Sequence, residues 1–202
     1  MLSISKEQII KINESIGKAV ARIKTIVEHL KEFSNEGTKA NETMTQLGVN
    51  QLLFDVRDFY GSIVSKFDIK IFQKLNAEEI IIQGFKTPIE QILLNIIHNA
   101  IDAVNDKPIN GEETEKIIQF MTYSEGDFGI IEINDNGNGI KPEILGQIFD
   151  PFFTTKEVGK GVGLGLSLVK TYIKDCQGEI VVKSVQNSTS FILKFKKANY
   201  ER

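Results

Sequence analysis

Three polar residues recur along one stretch of this sequence at spacings that put them on a single helical face. Asn95, Asn99 and Asp102 stand at i, i+4 and i+7, so a helix through them would project all three side chains together. Asparagine is at best an ordinary residue inside a helix, because its amide competes for backbone partners. An amide oxygen is, however, a hard ligand of the kind Mg²⁺ accepts when phosphate oxygens and water complete its shell. The same pattern is also that of a solvated polar face. Further on, Asp135-Asn136-Gly137-Asn138-Gly139-Ile140 offers a carboxylate that could accept from an exocyclic amine such as that of adenine. Its glycines would let a flat ring approach; taken alone, it is also an ordinary tight turn or a weak mimic of a calcium loop. Gly159-Lys160-Gly161-Val162-Gly163-Leu164-Gly165 opens directly towards a helix, and amides exposed in this way suit phosphate oxygens. The loop lacks the Gly-Lys-Ser/Thr ending of a P-loop. Between the two glycine motifs, Phe149-Asp150-Pro151-Phe152-Phe153-Thr154-Thr155-Lys156 has the composition of a hinged lid, aromatic anchors followed by a polar stretch.

The elements that must position these residues follow from periodicity. Thr87-Pro88-Ile89-Glu90 reads as a helix start, with Thr87 as cap, Pro88 at the first helical position and Glu90 closing a capping box. That helix is predicted to run to about Val104, with Ile89, Ile92, Leu93, Ile96, Ala100 and Val104 on its apolar face. A second helix is predicted over Gln51–Phe67 and a third over Gly163–Gln177, ending at Gly178. Strands are predicted at Ile69–Lys74, Glu79–Gln83, Lys116–Thr122, Phe128–Asn134, Glu179–Ser184 and Ser190–Lys196. This irregular order implies an α/β fold, a two-layer sandwich of a mixed sheet with helices on one face.

Ahead of that domain, residues 5–34 read as one long amphipathic helix. Ile9, Ile12, Ile16, Ala19, Ile23, Ile26, Leu30 and Phe33 form a seam that Val20 and Val27 widen, which suits a helical bundle. The expected domains are a bundle helix over 1–36, a linker and first-strand region over 37–49, and the α/β domain over 50–202. Net charge is −3 and no Lys/Arg block occurs, which argues against a nucleic-acid surface. No apolar run approaches the roughly 18–20 residues that cross a bilayer, and no signal-peptide core stands at the start. The one cysteine, Cys176, fits a reducing compartment. A cytoplasmic protein, or the cytoplasmic piece of a membrane sensor, is expected.

In order and spacing, Asn95-x-x-x-Asn99-Ala100-x-Asp102-Ala103, Asp135-x-Gly137-x-Gly139, Phe149-x-Pro151-Phe152-Phe153 and Gly161-x-Gly163-Leu164-Gly165-Leu166 resemble the four nucleotide-site boxes of sensor histidine kinases of two-component systems. The resemblance covers roughly residues 50–197. It implies the two-layer ATP-binding fold shared with gyrase-type topoisomerases, and ATP and Mg²⁺ as cofactors. By the resemblance Asn99 would hold Mg²⁺ and Asn95 would support the triphosphate end, with Asp102 and Ile140 in the same site. Asp135 would bind the adenine amine, in a pocket shaped by Gly137 and Gly139. Gly161, Gly163 and Gly165, with Gly159, Val162 and Leu164, would present the loop to the phosphates. Thr154 to Lys160 would form the lid behind Phe149, including Thr155 and Lys160, with Lys156 contacting phosphate. The Phe-Phe-Thr-Thr-Lys form resembles the nitrogen-regulation type.

Hydrolytic relatives carry a glutamate where this chain has Asn95, and asparagine cannot act as a base. That departure favours phosphoryl transfer over hydrolysis. A module that binds nucleotide to regulate a partner, without chemistry, is the other reading. The chain has two histidines, His29 and His98, and neither has the acidic neighbour and following proline of an acceptor. The stretch Arg22 to Ser34 resembles the second helix of the dimerisation bundle. The acceptor-histidine helix is therefore expected elsewhere, upstream or on another chain, with a homodimer in the full-length context and a response-regulator receiver domain as downstream partner.

Overall fold

A computed structural model describes residues 16–17, 43–106, 115–156 and 161–198. The chain divides into two units, Met1–Glu42 and Thr43–Arg202. In the first, Ile16 and Gly17 are helical; the rest of the expected bundle seam lies outside the described residues.

The second unit runs β1 (Thr45–Gly48), α1 (Val49–Lys66), β2 (Ile69–Lys74), β3 (Ile81–Gly84), α2 (Lys86–Asn105), β4 (Lys116–Glu125), β5 (Phe128–Asp135), a 3₁₀ turn (Pro142–Ile144), α3 (Gly165–Asp175), β6 (Glu179–Val185) and β7 (Ser188–Lys196). Five strands form one sheet in the order β2-β4-β5-β7-β6. The β2–β4 pair is parallel and the other pairs are antiparallel. β1 and β3 form a separate antiparallel pair. Alternation along the strands sends Ile118, Phe120, Ile131, Ile133, Phe191, Leu193 and Phe195 into one core. The helices cover that face with Leu52, Leu53 and Val56 from α1, the apolar side of α2, and Val169 and Ile173 from α3.

The central helix α2 buries more than one stripe. Besides the six apolar positions expected, Ile97 and Ile101 are buried, because α2 packs against the sheet below, α1 on one side and α3 on the other. Only a narrow polar ridge remains for other work.

Several expected boundaries shift by a few residues, three of them for a clear local reason. α2 begins at Lys86 with Phe85 at the N-cap position, so Thr87 lies within the first turn and not ahead of it. Glu90 pairs with Lys86, 3.6 Å away. The strand expected at Glu79–Gln83 starts at Ile81, because Glu79 turns aside to the start of α1. There its Oε1 accepts from the backbone N–H of Asn50 at 2.7 Å, supplying the cap that Gly48 cannot. α3 begins at Gly165 and not at Gly163, whose φ of +73° lies outside helical space.

Removing the distant cap has a measurable consequence. Glu79→Ala should cost about 1 kcal/mol, lowering the thermal midpoint by roughly 2–4 °C in a calorimetric scan, with the helix content of the folded state unchanged.

Candidate functional site

The polar ridge of α2 meets three separate loops, one after another. At its first half, Asn95 donates from Nδ2 to the Gln91 carbonyl at 3.0 Å, which fixes its amide plane. A Cβ placed on Gly165 would sit 3.0 Å from Asn95 Oδ1, so the first turn of α3 lies directly against this amide. One turn on, Lys156 Nζ donates to Asn99 Oδ1 at 3.4 Å and also to the Asp102 carboxylate. His98 Nδ1 lies 3.4 Å from the same Asp102 oxygen. At the far end, a Cβ on Gly137 would come within 2.8 Å of the Ala103 backbone. Only glycine lets the Asp135–Gly139 turn seat on the helix this closely.

Asp135 ends β5 and is 2% exposed. Its Oδ1 accepts from the Gly137 N–H at 2.9 Å, the one hydrogen bond it makes among the described residues. Burial raises its carboxyl to about 6, against a smaller opposing effect of the Gly137 N–H. Its cross-strand partner is Thr189, also buried, whose hydroxyl lies 3.1 Å from Ser184 Oγ. Ser184 Oγ in turn accepts from the Ile140 N–H at 2.7 Å, tying the end of the glycine turn to β6. Sequence reasoning missed Thr189 and Ser184. The hydroxyl run Ser188-Thr189-Ser190 at the head of an otherwise apolar strand was the available signal.

The segment between the glycine motifs is clasped at its ends. Phe152 N–H donates to the Gly163 carbonyl at 2.8 Å. A Cβ on Gly163 would fall 2.5 Å from the Phe152 carbonyl carbon, so this crossing requires glycine both for space and for its positive φ. Thr154 Oγ1 accepts from the Lys156 N–H at 3.2 Å. Phe149 and Phe153 pack against the core, whereas Phe152, with φ +68°, points outward and is 62% exposed. Thr155 is exposed, Val162 half-buried and Leu164 fully buried. Gly159 and Lys160 lie outside the described residues.

The residues suit a magnesium nucleotide. A positive group already lies against Asn99 Oδ1, in the form of the Lys156 ammonium, so the amide oxygen faces a place that favours a cation. Among the described residues no three His, Cys, Asp or Glu side chains gather as a metal cluster. A metal here would therefore take amide and phosphate oxygens, the mix that Mg²⁺ prefers. A buried carboxylate with acceptor capacity to spare, beside glycine backbone, matches an aromatic amine.

Comparison with known proteins agrees with this geometry. The family model described as histidine kinase-, DNA gyrase B-, and HSP90-like ATPase matches residues 84–199. Sensor kinase CckA of Brucella abortus (strain 2308) is 33% identical over 181 residues, covering 84% of this chain and 18% of that protein. The signal transduction histidine-protein kinase AtoS of Escherichia coli (strain K12) is 32% identical over 169 residues, covering 83% of this chain and 26% of that protein. The chain thus spans about a fifth to a quarter of the length of these two relatives. The catalytic domain of histidine kinase ThkA superposes with a TM-score of 0.67 at 26% identity, over 77% of this chain and 96% of that one. ThkA in complex with response regulator protein TrrA gives a TM-score of 0.78 at 24% identity, over 99% of this chain and 55% of that one. The chain belongs to the histidine kinase-, DNA gyrase B- and HSP90-like ATPase family, as an ATP-binding catalytic domain of a two-component sensor histidine kinase. No helix among the described residues is long and apolar enough to cross a membrane.

The Asp135 carboxyl makes stability depend on pH. Its native pKa lies above the ordinary 3.8, so the native state binds the proton more tightly than the unfolded chain does. Stability from this group is fully present below about pH 4 and is lost as pH rises through about 6. Above that, the ionised buried carboxylate costs up to about 3 kcal/mol. Asp135→Asn should therefore be more stable than the parent at pH 8 by as much as this. Urea midpoints measured from pH 8 down to pH 4 should show the difference closing.

Proposed function

We propose that this domain holds Mg·ATP along the α2 ridge and directs the γ-phosphate to a histidine on a helix outside it. The observation that carries the reading is the convergence of three loops on one helix: Gly165 at Asn95, Lys156 at Asn99 and Asp102, Gly137 at Ala103. When bound, ATP supplies the phosphoryl group and Mg²⁺ neutralises its oxygens. In this reading Asn99 gives the metal its amide oxygen and Asn95 braces the triphosphate end. Asp135 accepts from the adenine amine above Gly137, Gly139 and Ile140. The amides of Gly161, Gly163 and Gly165 face the phosphates, and Lys156 meets them from the lid.

No side chain on the ridge between Asn95 and Asn99 is an acid placed to activate water. The chain's contribution is position and charge, with the nucleophile delivered from elsewhere. The acceptor imidazole attacks the γ-phosphorus as the bond to the β-bridging oxygen breaks, and ADP departs. The acceptor helix belongs to a missing segment or another chain, and residues 1–36 are read as the second bundle helix of a homodimer. A response-regulator receiver domain is the downstream partner, as ThkA is found with TrrA. The Phe152-Phe153-Thr154-Thr155-Lys156 form resembles that of the nitrogen-regulation type, and the reading assigns the domain to the cytoplasm.

The decisive experiment is incubation with γ-labelled ATP and Mg²⁺, with and without a cognate acceptor helix. Acid-labile label on that helix, with little free phosphate from the domain alone, is expected; steady phosphate release would overturn the transfer reading. Asn99→Ala should weaken Mg-dependent ATP binding at least about tenfold, the scale of losing a charge-assisted contact. Nucleotide affinity should also fall as pH drops through about 6, where Asp135 takes up its proton, and calorimetric titration of Asp135→Asn should show a flat profile.

A further inference from the structure

We propose that Lys156 is a lock on its own site: its ammonium occupies the Asn99–Asp102 face of α2, and a magnesium nucleotide enters by exchanging one cation for another there. The inference rests on the reading of Asn99 as the metal ligand.

The lock is built from five contacts. Lys156 Nζ donates to Asn99 Oδ1 and to the Asp102 carboxylate together. Its side chain is 25% exposed, as is that of Lys194 paired with Glu125, whereas Lys70 and Lys86, which also pair with carboxylates, are 52% and 56% exposed. The stem lies along Gly161, where a Cβ would come 3.1 Å from Lys156 Cδ and 2.9 Å from Thr154 Oγ1. The backbone is held on both sides, by Thr154 Oγ1 at the Lys156 N–H and by the Phe152–Gly163 crossing. The aim of the lysine at α2 is thus set by its flanks.

The chemistry of exchange follows from the shared oxygen. Asn99 Oδ1 cannot serve an ammonium and a divalent cation at once without bringing two positive charges into near contact. A metal arriving on Asn99 therefore expels Lys156, and the freed ammonium is then within reach of the phosphates that the metal brings. Asp102 holds the lysine back until that moment. It opposes binding by sequestering a phosphate contact, so its removal should tighten nucleotide binding. If Asp102 touched the nucleotide directly, its removal would weaken binding. The two roles have opposite signs.

The test compares the chain with Asp102→Asn, and with Asp102→Ala as a second variant, in two measurements. The first is the rate at which an amine-reactive ester acylates Lys156 without nucleotide, read by peptide mass spectrometry with Lys70 and Lys86 as internal standards. The second is titration with a fluorescent ATP analogue in Mg²⁺. Expected are slow acylation of Lys156 in the parent, acylation faster by roughly two- to fivefold in the variants, and nucleotide binding tightened by a similar factor. That is the scale of one partly exposed ion pair. Unchanged acylation, or weaker nucleotide binding in both variants, would overturn the lock. A parent chain that binds no nucleotide would overturn the underlying reading instead, a failure visible without any variant.

Discussion

Everything at this site depends on the double burden of α2. A helix sandwiched between a sheet and two other helices must be apolar around most of its circumference, and eight of its side chains are buried. What is left is a single polar face, which also carries Gln91 and the exposed His98. Asn95, Asn99 and Asp102 occupy it at the helical repeat, so their mutual geometry is fixed by the same packing that forms the core. The loops have little regular structure of their own, and each is placed by touching this strip. The glycines at 137 and 165 are the points of touch: a Cβ at Gly137 would run into the Ala103 backbone, and one at Gly165 would crowd the Asn95 amide at 3.0 Å. Position at the site is in this sense borrowed from the hydrophobic core.

The charge arrangement follows a related logic. The ridge carries two neutral amides and a single carboxylate, and that carboxylate is matched by Lys156. A ridge of three acids would repel a triphosphate and hold a metal too firmly to share it with phosphate oxygens. In the proposed reading, amide oxygens would leave the metal's charge for the substrate. Asp135 has no ion pair among the described residues, and it is buried at a stability cost. A group whose burial works against folding, set beside glycine backbone and two hydroxyls, is more readily understood as a recognition group than as part of the scaffold.

How much of this was legible in the sequence divides by the range of the interaction. The ridge residues were legible because helical spacing is local and asparagine is out of place in a helix. The strand Ile69–Lys74 and the apolar positions of α2 were legible from periodicity in the same way. What escaped notice depends on contacts distant in sequence. Glu79 caps a helix that begins 30 residues earlier, and its side chain draws the backbone out of the strand that its neighbours suggested. Thr189 joins Asp135 only through the register of β7 on β5, which no single strand reveals. The start of α2 was legible only to within two residues, because the chain enters the helix straight from β3 through Phe85, ahead of Thr87.

The position of Asn95 links the core argument to the choice of chemistry. Its amide is turned by the bond to Gln91 so that the oxygen faces Gly165. The oxygen is thus engaged with the glycine loop and the nitrogen with its own helix. A glutamate there, longer by one methylene, would reach into the space that Gly165 occupies and would have to turn away or displace the start of α3. The packing that seats the glycine loop and the choice of a short amide at this position are therefore linked. An amide cannot take a proton from water, so in the proposed reading this position of the ridge would supply a terminal phosphate with placement and not with a base.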